Sequence, residues 1–403
     1  MKVMQINCVY NTGSTGKIMY DVHTELKKRG IESVICYGRG KKTSDENVYK
    51  TSSEFLAKFN NVKSRFTGMP YNGSFFATNK LLRIIKKENP DVVHLHCING
   101  HFVNIYRLVK FLKKNKIPTV VTHHAEFFYT GNCGHSYECD KWKTGCGNCS
   151  SAKKAINSYF FDFTKYNLKR MREAFCGFDK LYSTSVSPWL CHRAEQSLIF
   201  KDYGNRVVMN GLDSDVFKPA DDAFDLKKKL NIDEDKQVII YVTASFESPT
   251  KGGKYIIELA KRLGGNYKIV VVGNREKPVN LPENIISVGR VENQNELARY
   301  YGMADLCVIT GKRETFSMPL AEAMCCGIPV VGFMAGGPES IAIEQYSSFV
   351  EYGDSDALEL AVRAMLKRKF VKKMLAQKAK EVYSRENMCE NYINVYKDVL
   401  KND

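Results

Sequence analysis

Apolar residues are distributed along this chain in two alternating patterns. Short runs rich in Val and Ile are separated by stretches in which apolar positions recur every three or four residues, the arrangement of parallel sheets covered by helices on both faces. Two such series occur. The first places strands at Lys2–Cys8, Glu32–Tyr37, Asp91–His96, Pro118–Thr122 and Lys180–Ser183, with helices near 17–29, 77–88 and 103–115. The second places strands at Gln237–Val242, Lys268–Val272, Ile285–Val288, Leu306–Ile309 and Pro329–Gly332, with helices near 253–263, 294–302, 318–325 and 355–366. Between them, the strand-like Arg206–Met209 runs into the turn dipeptide Asn210-Gly211, which marks the join. The fold expected is α/β with two doubly wound domains, an N-terminal one over 1–209 and a C-terminal one over 210–386. A terminal helix over 387–403 is expected to pack back on the first domain. The length of 403 residues supports the division, because single cores stop growing at roughly 250–300 residues. Open parallel sheets take ligands at the carboxyl ends of their strands, so two of them facing each other are expected to make a cleft.

Composition places the chain among globular proteins, with 44% hydrophobic and 26% charged residues and neither a low-complexity tract nor a solenoid-length repeat. The first residues, MKVMQINCVY, lack the apolar region of a signal peptide, and no apolar run approaches the ~20 residues that span a bilayer. A cytoplasmic location is expected. Most of the 13 cysteines lie singly along strands and helices, where they read as small core residues. Charge changes the picture more. Residues 1–207 hold 33 Lys and Arg against 16 Asp and Glu, whereas residues 208–403 hold 27 against 28. The whole basic excess belongs to the first half, which suits an anionic surface such as nucleic acid, a lipid leaflet or a pyrophosphate-bearing substrate. Nucleic acid is not an expected partner, since the chain has no concentrated basic helix, zinc-finger spacing or aromatic RNA-binding signature.

The strongest chemical signal is Glu314-Thr-Phe-Ser-Met-Pro-Leu-Ala-Glu322, which comes after the apolar strand Leu306–Ile309 and enters an Ala- and Met-rich helix. Glu314 then lies in the strand-to-helix loop and Glu322 about one turn inside the helix. The amides of Phe316, Ser317 and Met318 would point at an anionic group, aided by the helix dipole. A carboxylate on either side suits a nucleotide sugar, one accepting hydrogen bonds from sugar hydroxyls and the other from ribose hydroxyls. On spacing alone, two solvated glutamates at a helix start are the favoured reading.

With these residues the chain resembles family 4 of the glycosyltransferases over nearly all its length. The pair Glu314 and Glu322 matches that family's paired-glutamate motif, and Gly327-Ile-Pro-Val-Val and Gly336-Gly-Pro-Glu339 match the segments downstream of that motif. Asn210–Pro219 looks like its interdomain segment and Lys251-Gly252 like its lysine-glycine pair at a donor phosphate. The resemblance implies a retaining, metal-independent hexosyltransferase of the GT-B fold, with two Rossmann-like domains. By it, Glu314 holds the donor sugar near the reacting carbon, Glu322 holds the ribose, and Lys251 neutralises the leaving diphosphate. A UDP-sugar donor and a glycan or lipid-linked acceptor in cell-surface polysaccharide biosynthesis are what it suggests. One departure is Ser245, which stands where the family usually has an arginine, and Lys254 and Arg275 are the cations near enough in sequence to substitute. A nucleotide-sugar epimerase of the same fold is the alternative.

Three further segments carry candidates. The loop Asn11-Thr-Gly-Ser-Thr-Gly-Lys17 has two residues between its glycines and Ile18 after its lysine, so it is not a Walker loop. It resembles the family's glycine-rich loop facing the donor pyrophosphate, with Gly13 and Gly16 as contacts. His123-His-Ala-Glu-Phe-Phe-Tyr-Thr-Gly131 resembles a family subgroup's histidine segment, in which His124 is selected as a catalytic contact to the donor sugar. Ala125 replaces that segment's aspartate, and His123 stays open as the alternative. His94 and His96 share a strand face, His94 reading as a core residue, while His96, Asn99 and His101 at the strand's end are acceptor candidates. The cluster Cys133, Cys139, Cys146 and Cys149, of a kind carried by the same subgroup, suits either a structural zinc or core and redox-paired thiols. No cofactor is required by the chemistry. The triplets Asp-Ser-Asp at 213–215 and 354–356 are read as an interdomain segment and a helix cap rather than metal motifs.

Finally, Phe55, Phe59, Val62 and Phe66 recur at helical spacing beside Lys58, Lys63 and Arg65. The pattern fits an amphipathic helix with its apolar face in the core, the ordinary outcome, or one that meets an anionic membrane at its inner face.

Overall fold

The computed structural model describes residues 1–150, 152–220, 224–274 and 280–401, and the chain separates into two compact units, Met1–Met209 with Met388–Asp403, and Asn210–Asn387. In chain order the first unit carries β1 (Lys2–Val9), α1 (Gly13–Lys28), β2 (Glu32–Arg39), β3 (Val48–Lys50), α2 (Glu54–Thr67) and α3 (Phe75–Glu88). It continues with β4 (Val92–Leu95), α4 (Ile105–Lys114), β5 (Thr119–His123), α5 (Ala152–Ala155), α6 (Thr164–Phe175), β6 (Leu181–Ser185), α7 (Pro188–Glu195) and β7 (Asn205–Val207). The second unit carries α8 (Phe224–Lys229), β8 (Gln237–Val242), α9 (Gly253–Leu263), β9 (Tyr267–Val272), β10 (Ile285–Gly289), α10 (Gln294–Met303) and β11 (Leu306–Ile309). After these come α11 (Met318–Cys325), β12 (Val330–Phe333), α12 (Gly337–Ile341), β13 (Ser347–Val350), α13 (Ser355–Lys367), α14 (Lys372–Tyr383) and α15 (Arg385–Lys401), whose later part belongs to the first unit.

Among the described residues the first unit forms a seven-stranded sheet in the order β3-β2-β1-β4-β5-β6-β7, and the second a six-stranded sheet in the order β10-β9-β8-β11-β12-β13. All neighbours run parallel, as in Ile6 opposite Leu95 and Cys307 opposite Ile240. Both units are thus the doubly wound α/β layers that the alternating pattern predicts. In each sheet the winding reverses once, between β1 and β4 and between β8 and β11, and there the outgoing loops diverge and leave a crevice at the carboxyl edge.

Central strands are buried on both faces, which is why they read as unbroken Val and Ile runs. Helices start where a polar side chain can take an otherwise unpaired amide: Ser53, Ser74, Asn104, Ser187 and Asp354 each accept from an N–H in the first turn of the helix they precede. The second core gathers Ile239, Tyr241, Ile256, Val271, Val308 and Phe333 among others. In the first, Val3, Val22, Val92 and Val120 pack on Met388, Tyr392, Tyr396 and Val399 of α15.

Candidate active site

In the second unit the carboxyl ends of β8 and β11 bring the Lys251 and Glu314 loops together. The Thr310 hydroxyl donates to the carbonyls of Lys251 and Gly252 at 3.2 and 3.0 Å, and Lys312 N–H donates to Thr250 at 2.9 Å. Gly252 makes this approach feasible. Its φ is +81°, and a Cβ there would lie 2.1 Å from the Thr310 carbonyl oxygen. Lys251 Nζ consequently sits 2.6 Å from Glu314 Oε1, with both side chains partly open to solvent. Glu314 is fixed from its other side by the loop after β12. Its N–H donates to Ala335 at 3.1 Å and its carbonyl accepts from Gly337 at 2.8 Å, while Glu339 receives the amides of Ala335 and Gly336 at 3.0 and 2.7 Å.

Phe316 and Ser317 are buried just before α11, and Ser317 caps that helix with φ +88°. A non-glycine residue in that region costs about 1–3 kcal/mol and persists only where its surroundings hold it. One turn on, Glu322 is 9% exposed and its Oε2 accepts from the Tyr301 hydroxyl at 2.9 Å. Burial, and next the Glu322 charge, push the Tyr301 phenol well above its ordinary range, so it stays a donor. The result is a loop and helix amino terminus carrying an ammonium, two carboxylates and forward-pointing amides, suited to a diphosphate flanked by hydroxyl-bearing rings.

In the first unit the corresponding edge of β1 and β4 carries the glycine loop and a histidine stack. Asn11 N–H donates to Gly16 at 3.1 Å, Gly13 is exposed with φ +63°, and Gly16 lies buried in the first turns of α1. The rings of His94 and His96 lie 3.8 Å apart, and His96 Nδ1 is 3.1 Å from His124 Nε2. On its other side His96 Nε2 lies 3.2 Å from Gln5 Oε1. With the Gln5 amide oxygen on this side, His96 donates from Nε2 and its Nδ1 accepts from His124 Nε2. Burial pushes the His124 imidazole down to about 4, so it is neutral near pH 7.

Two family models match this chain: "Glycosyltransferase Family 4" over residues 15–187 and "Glycosyl transferases group 1" over residues 222–382. The chain is a glycosyltransferase with the GT-B fold, its first half matching family 4 and its second group 1. It is 21% identical to WcaC of Escherichia coli, named for a glycosyl transferase role in colanic acid biosynthesis, over 99% of this chain and all of that one. In fold, this glycosyltransferase is similar to sucrose-phosphate synthase from Thermosynechococcus elongatus, with TM-score 0.70 and 15% identity over the whole of both chains. It is likewise similar to HepE of Anabaena, solved with UDP-glucose, with TM-score 0.67 and 13% identity over 99% and 100% of the two chains. These matches favour transfer over the epimerase alternative.

Several positions of the glycosyltransferase differ from their sequence reading. His96, expected to line an acceptor pocket, is fully buried against its neighbours, so it supports His124 instead of meeting a ligand. His101 is turned elsewhere, with Nδ1 3.1 Å from the Pro70 carbonyl, while Asn99 remains half-buried. His123, open as the alternative to His124, is a core residue that packs against Phe200 with Nε2 2.9 Å from Ser183 Oγ, whereas His94, with both nitrogens occupied by Tyr396 and Thr122, is the core residue its sequence reading made it. Lys254 lies over the Tyr255 ring, and Arg275 falls outside the described residues.

The cysteine loop does not fit a zinc ion in this arrangement: among the described residues no group of three or more His, Cys, Asp or Glu is placed to hold a metal. Cys146 Sγ instead accepts the Gly131 amide at 3.2 Å, and burial pushes the Cys133 thiol up to about 12. An ion pair organises this loop. Fully buried Glu126 lies 2.7 Å from Arg193 Nε and receives the Ser136 amide, and the guanidinium lies over Trp142 and Trp189.

Sequence reasoning missed Gln5 and Tyr301. Gln5 had a signal, as a polar side chain alternating with Asn7 inside an apolar strand. Tyr301 had none, because its partner is 21 positions away on another helix.

Proposed function

We propose that this glycosyltransferase moves a sugar from a UDP-sugar to a glycan or lipid-linked acceptor in cell-surface polysaccharide biosynthesis, with retention of anomeric configuration. The observation that carries the reading is the 2.6 Å pairing of Lys251 with Glu314 at the amino end of α11. A nucleoside diphosphate drawn to Lys251 and the amides of Phe316–Met318 leaves Glu314 to take the sugar hydroxyls. Glu322, with one oxygen on Tyr301, offers the other to the ribose. The crystal structure of HepE with UDP-glucose supports the donor class, and the name of WcaC supports the pathway class.

For the reaction itself we infer attack on the face from which the diphosphate departs. The acceptor oxygen bonds to the anomeric carbon as the bond to phosphate breaks, and the leaving phosphate oxygen takes the acceptor's proton. Glu314 is paired with a lysine and serves binding, so no carboxylate is assigned as nucleophile. In the first unit, the family resemblance makes His124, held by His96 and Gln5, the candidate contact to a donor sugar, and Gly13 and Gly16 the candidate contacts to a pyrophosphate. Lys251 and the helix amino terminus stabilise the leaving group without a metal, so activity should survive EDTA. The basic first half supports a cytoplasmic enzyme working at the inner face of an anionic membrane.

A turnover screen across nucleotide sugars, with and without acceptor, tests this reading. Glu314→Gln should lower turnover roughly 100-fold or more while the protein stays folded. Wild-type turnover in that variant would remove the assigned site, and sugar interconversion without acceptor would restore the epimerase alternative.

A further inference from the structure

We propose that the N-terminal unit docks on an anionic lipid bilayer through one aromatic and basic surface, formed by α2, the start of α3 and residues 157–170. This deepens, and rests on, the reading of a membrane-side acceptor given above.

Helix α2 is inverted relative to an ordinary surface helix. Its apolar stripe, Phe55, Phe59, Val62 and Phe66, is between 51% and 76% exposed, whereas small Ala57 and Ser64 face the protein. Four large side chains turned outward along one stripe expose apolar area that a water-facing helix would bury. The surface continues beyond the helix. Phe66 meets Tyr159 and Phe160 at ring distances of 5.8 and 5.9 Å, and Phe160 leads on to Phe161. Phe75 and Phe76 extend the aromatic set at 62% and 76% exposure.

Cations hold these rings from the side. Arg65 donates to the Tyr159 hydroxyl at 2.9 Å, Arg107 lies 4.7 Å from the Phe75 ring centre, and Arg170 lies 5.6 Å from that of Tyr166. Residues 54–80 and 157–172 together hold eight Lys and Arg against two carboxylates. Both carboxylates are occupied internally, Glu54 by Arg39 and the Gly40 amide, Asp162 by the Cys149 and Thr164 amides. Aromatic rings interleaved with unneutralised cations match the interface of an anionic leaflet. A second copy of the same face would bring like charges together, which argues against self-association. The inner side of α2 also reaches the loop after β4, where Asn60 donates to the His101 carbonyl at 3.1 Å.

The test is sedimentation of the full chain with phosphatidylcholine vesicles, plain or carrying roughly 30 mol % phosphatidylglycerol, at about 0.05 and 0.5 M salt. Wild type should bind the anionic vesicles, less at high salt. The set Phe55→Ser, Phe59→Ser, Phe160→Ser should cut partitioning at least ~10-fold at both salts, because each ring is over half exposed and leaves no cavity. The set Lys58→Glu, Lys63→Glu, Lys165→Glu should cut it chiefly at low salt. Absent binding by wild type at low salt, equal binding to neutral vesicles, or unchanged binding in both sets would overturn the proposal. So would a wild-type dimer that the serine set converts to monomer. Donor hydrolysis measured without vesicles should equal wild type in both sets. Its absence in a wild type that still binds vesicles would count against the transferase reading alone.

Discussion

Lys251 and Glu314 satisfy each other at 2.6 Å, so both must change partners when a donor arrives. The exchange predicts selectivity in a variant. Lys251→Ala should weaken binding of UDP about 10- to 100-fold while binding of uridine changes little, since only the diphosphate presents charge; equal losses by calorimetry would contradict the phosphate role. Glu314 and Glu322 were legible in the sequence through the resemblance to a family motif, since their spacing alone is that of two solvated glutamates at a helix start. The histidines were legible as residues but not as a relay, because Gln5, His96 and His124 come from three different strands' ends and interiors. Their burial predicts a pH effect. Burial depresses His94 and His96 well below the ordinary 6.5, His124 to about 4 and His123 to about 3. As pH falls below 6.5 the unfolded chain takes up these protons first, so stability is full above 6.5 and declines toward 4, by up to ~1.4 kcal/mol per pH unit for each histidine. Urea midpoints at pH 7.5 and 5 should therefore differ, with the lower at pH 5; a flat profile would contradict the buried neutral cluster.

At the scale of elements, the strands Gln237–Val242 and Leu306–Ile309 and the helices Gly253–Leu263 and Met318–Cys325 match the sequence pattern to the residue, and the other expected strands lie within two residues of it at either end. The edge strands β3 and β13 escaped it, since three or four half-exposed residues carry no continuous apolar run, while the edge strand β7 begins one residue before the strand-like Arg206–Met209. Helices α6 and α7 escaped as well, their first and last turns being too polar to show a clear stripe. The 126–149 loop is held by chemistry that no periodicity reports. Removing the cation by Arg193→Met should cost about 3–5 kcal/mol, because Glu126 would be left charged in a fully buried site. Thermal unfolding reads that loss, and Glu126→Gln in the same chain should recover part of it.

Over the whole molecule, α15 ties the end of the chain to the first unit's core through Met388, Cys389, Tyr392, Ile393, Val395, Tyr396 and Val399. Each such side chain contributes about 1.5–3 kcal/mol on burial, so ending the chain at Glu386 removes an amount comparable with the roughly 5–15 kcal/mol by which a domain is stable. The truncated protein should lose the near-UV signal of the first unit and aggregate, whereas a soluble, folded product would contradict the packing. The sequence by itself determined the two parallel α/β units and the places of Glu314 in a strand-to-helix loop and Glu322 in the helix after it, because burial of Val and Ile runs and the spacing within one loop are local properties. Only the tertiary structure decided which partner each charged group takes and which way each amphipathic stripe faces. A stripe is the same whether it meets a core or water, and only the packed neighbours of Ala57 and Ser64 turn the phenylalanines of α2 outward.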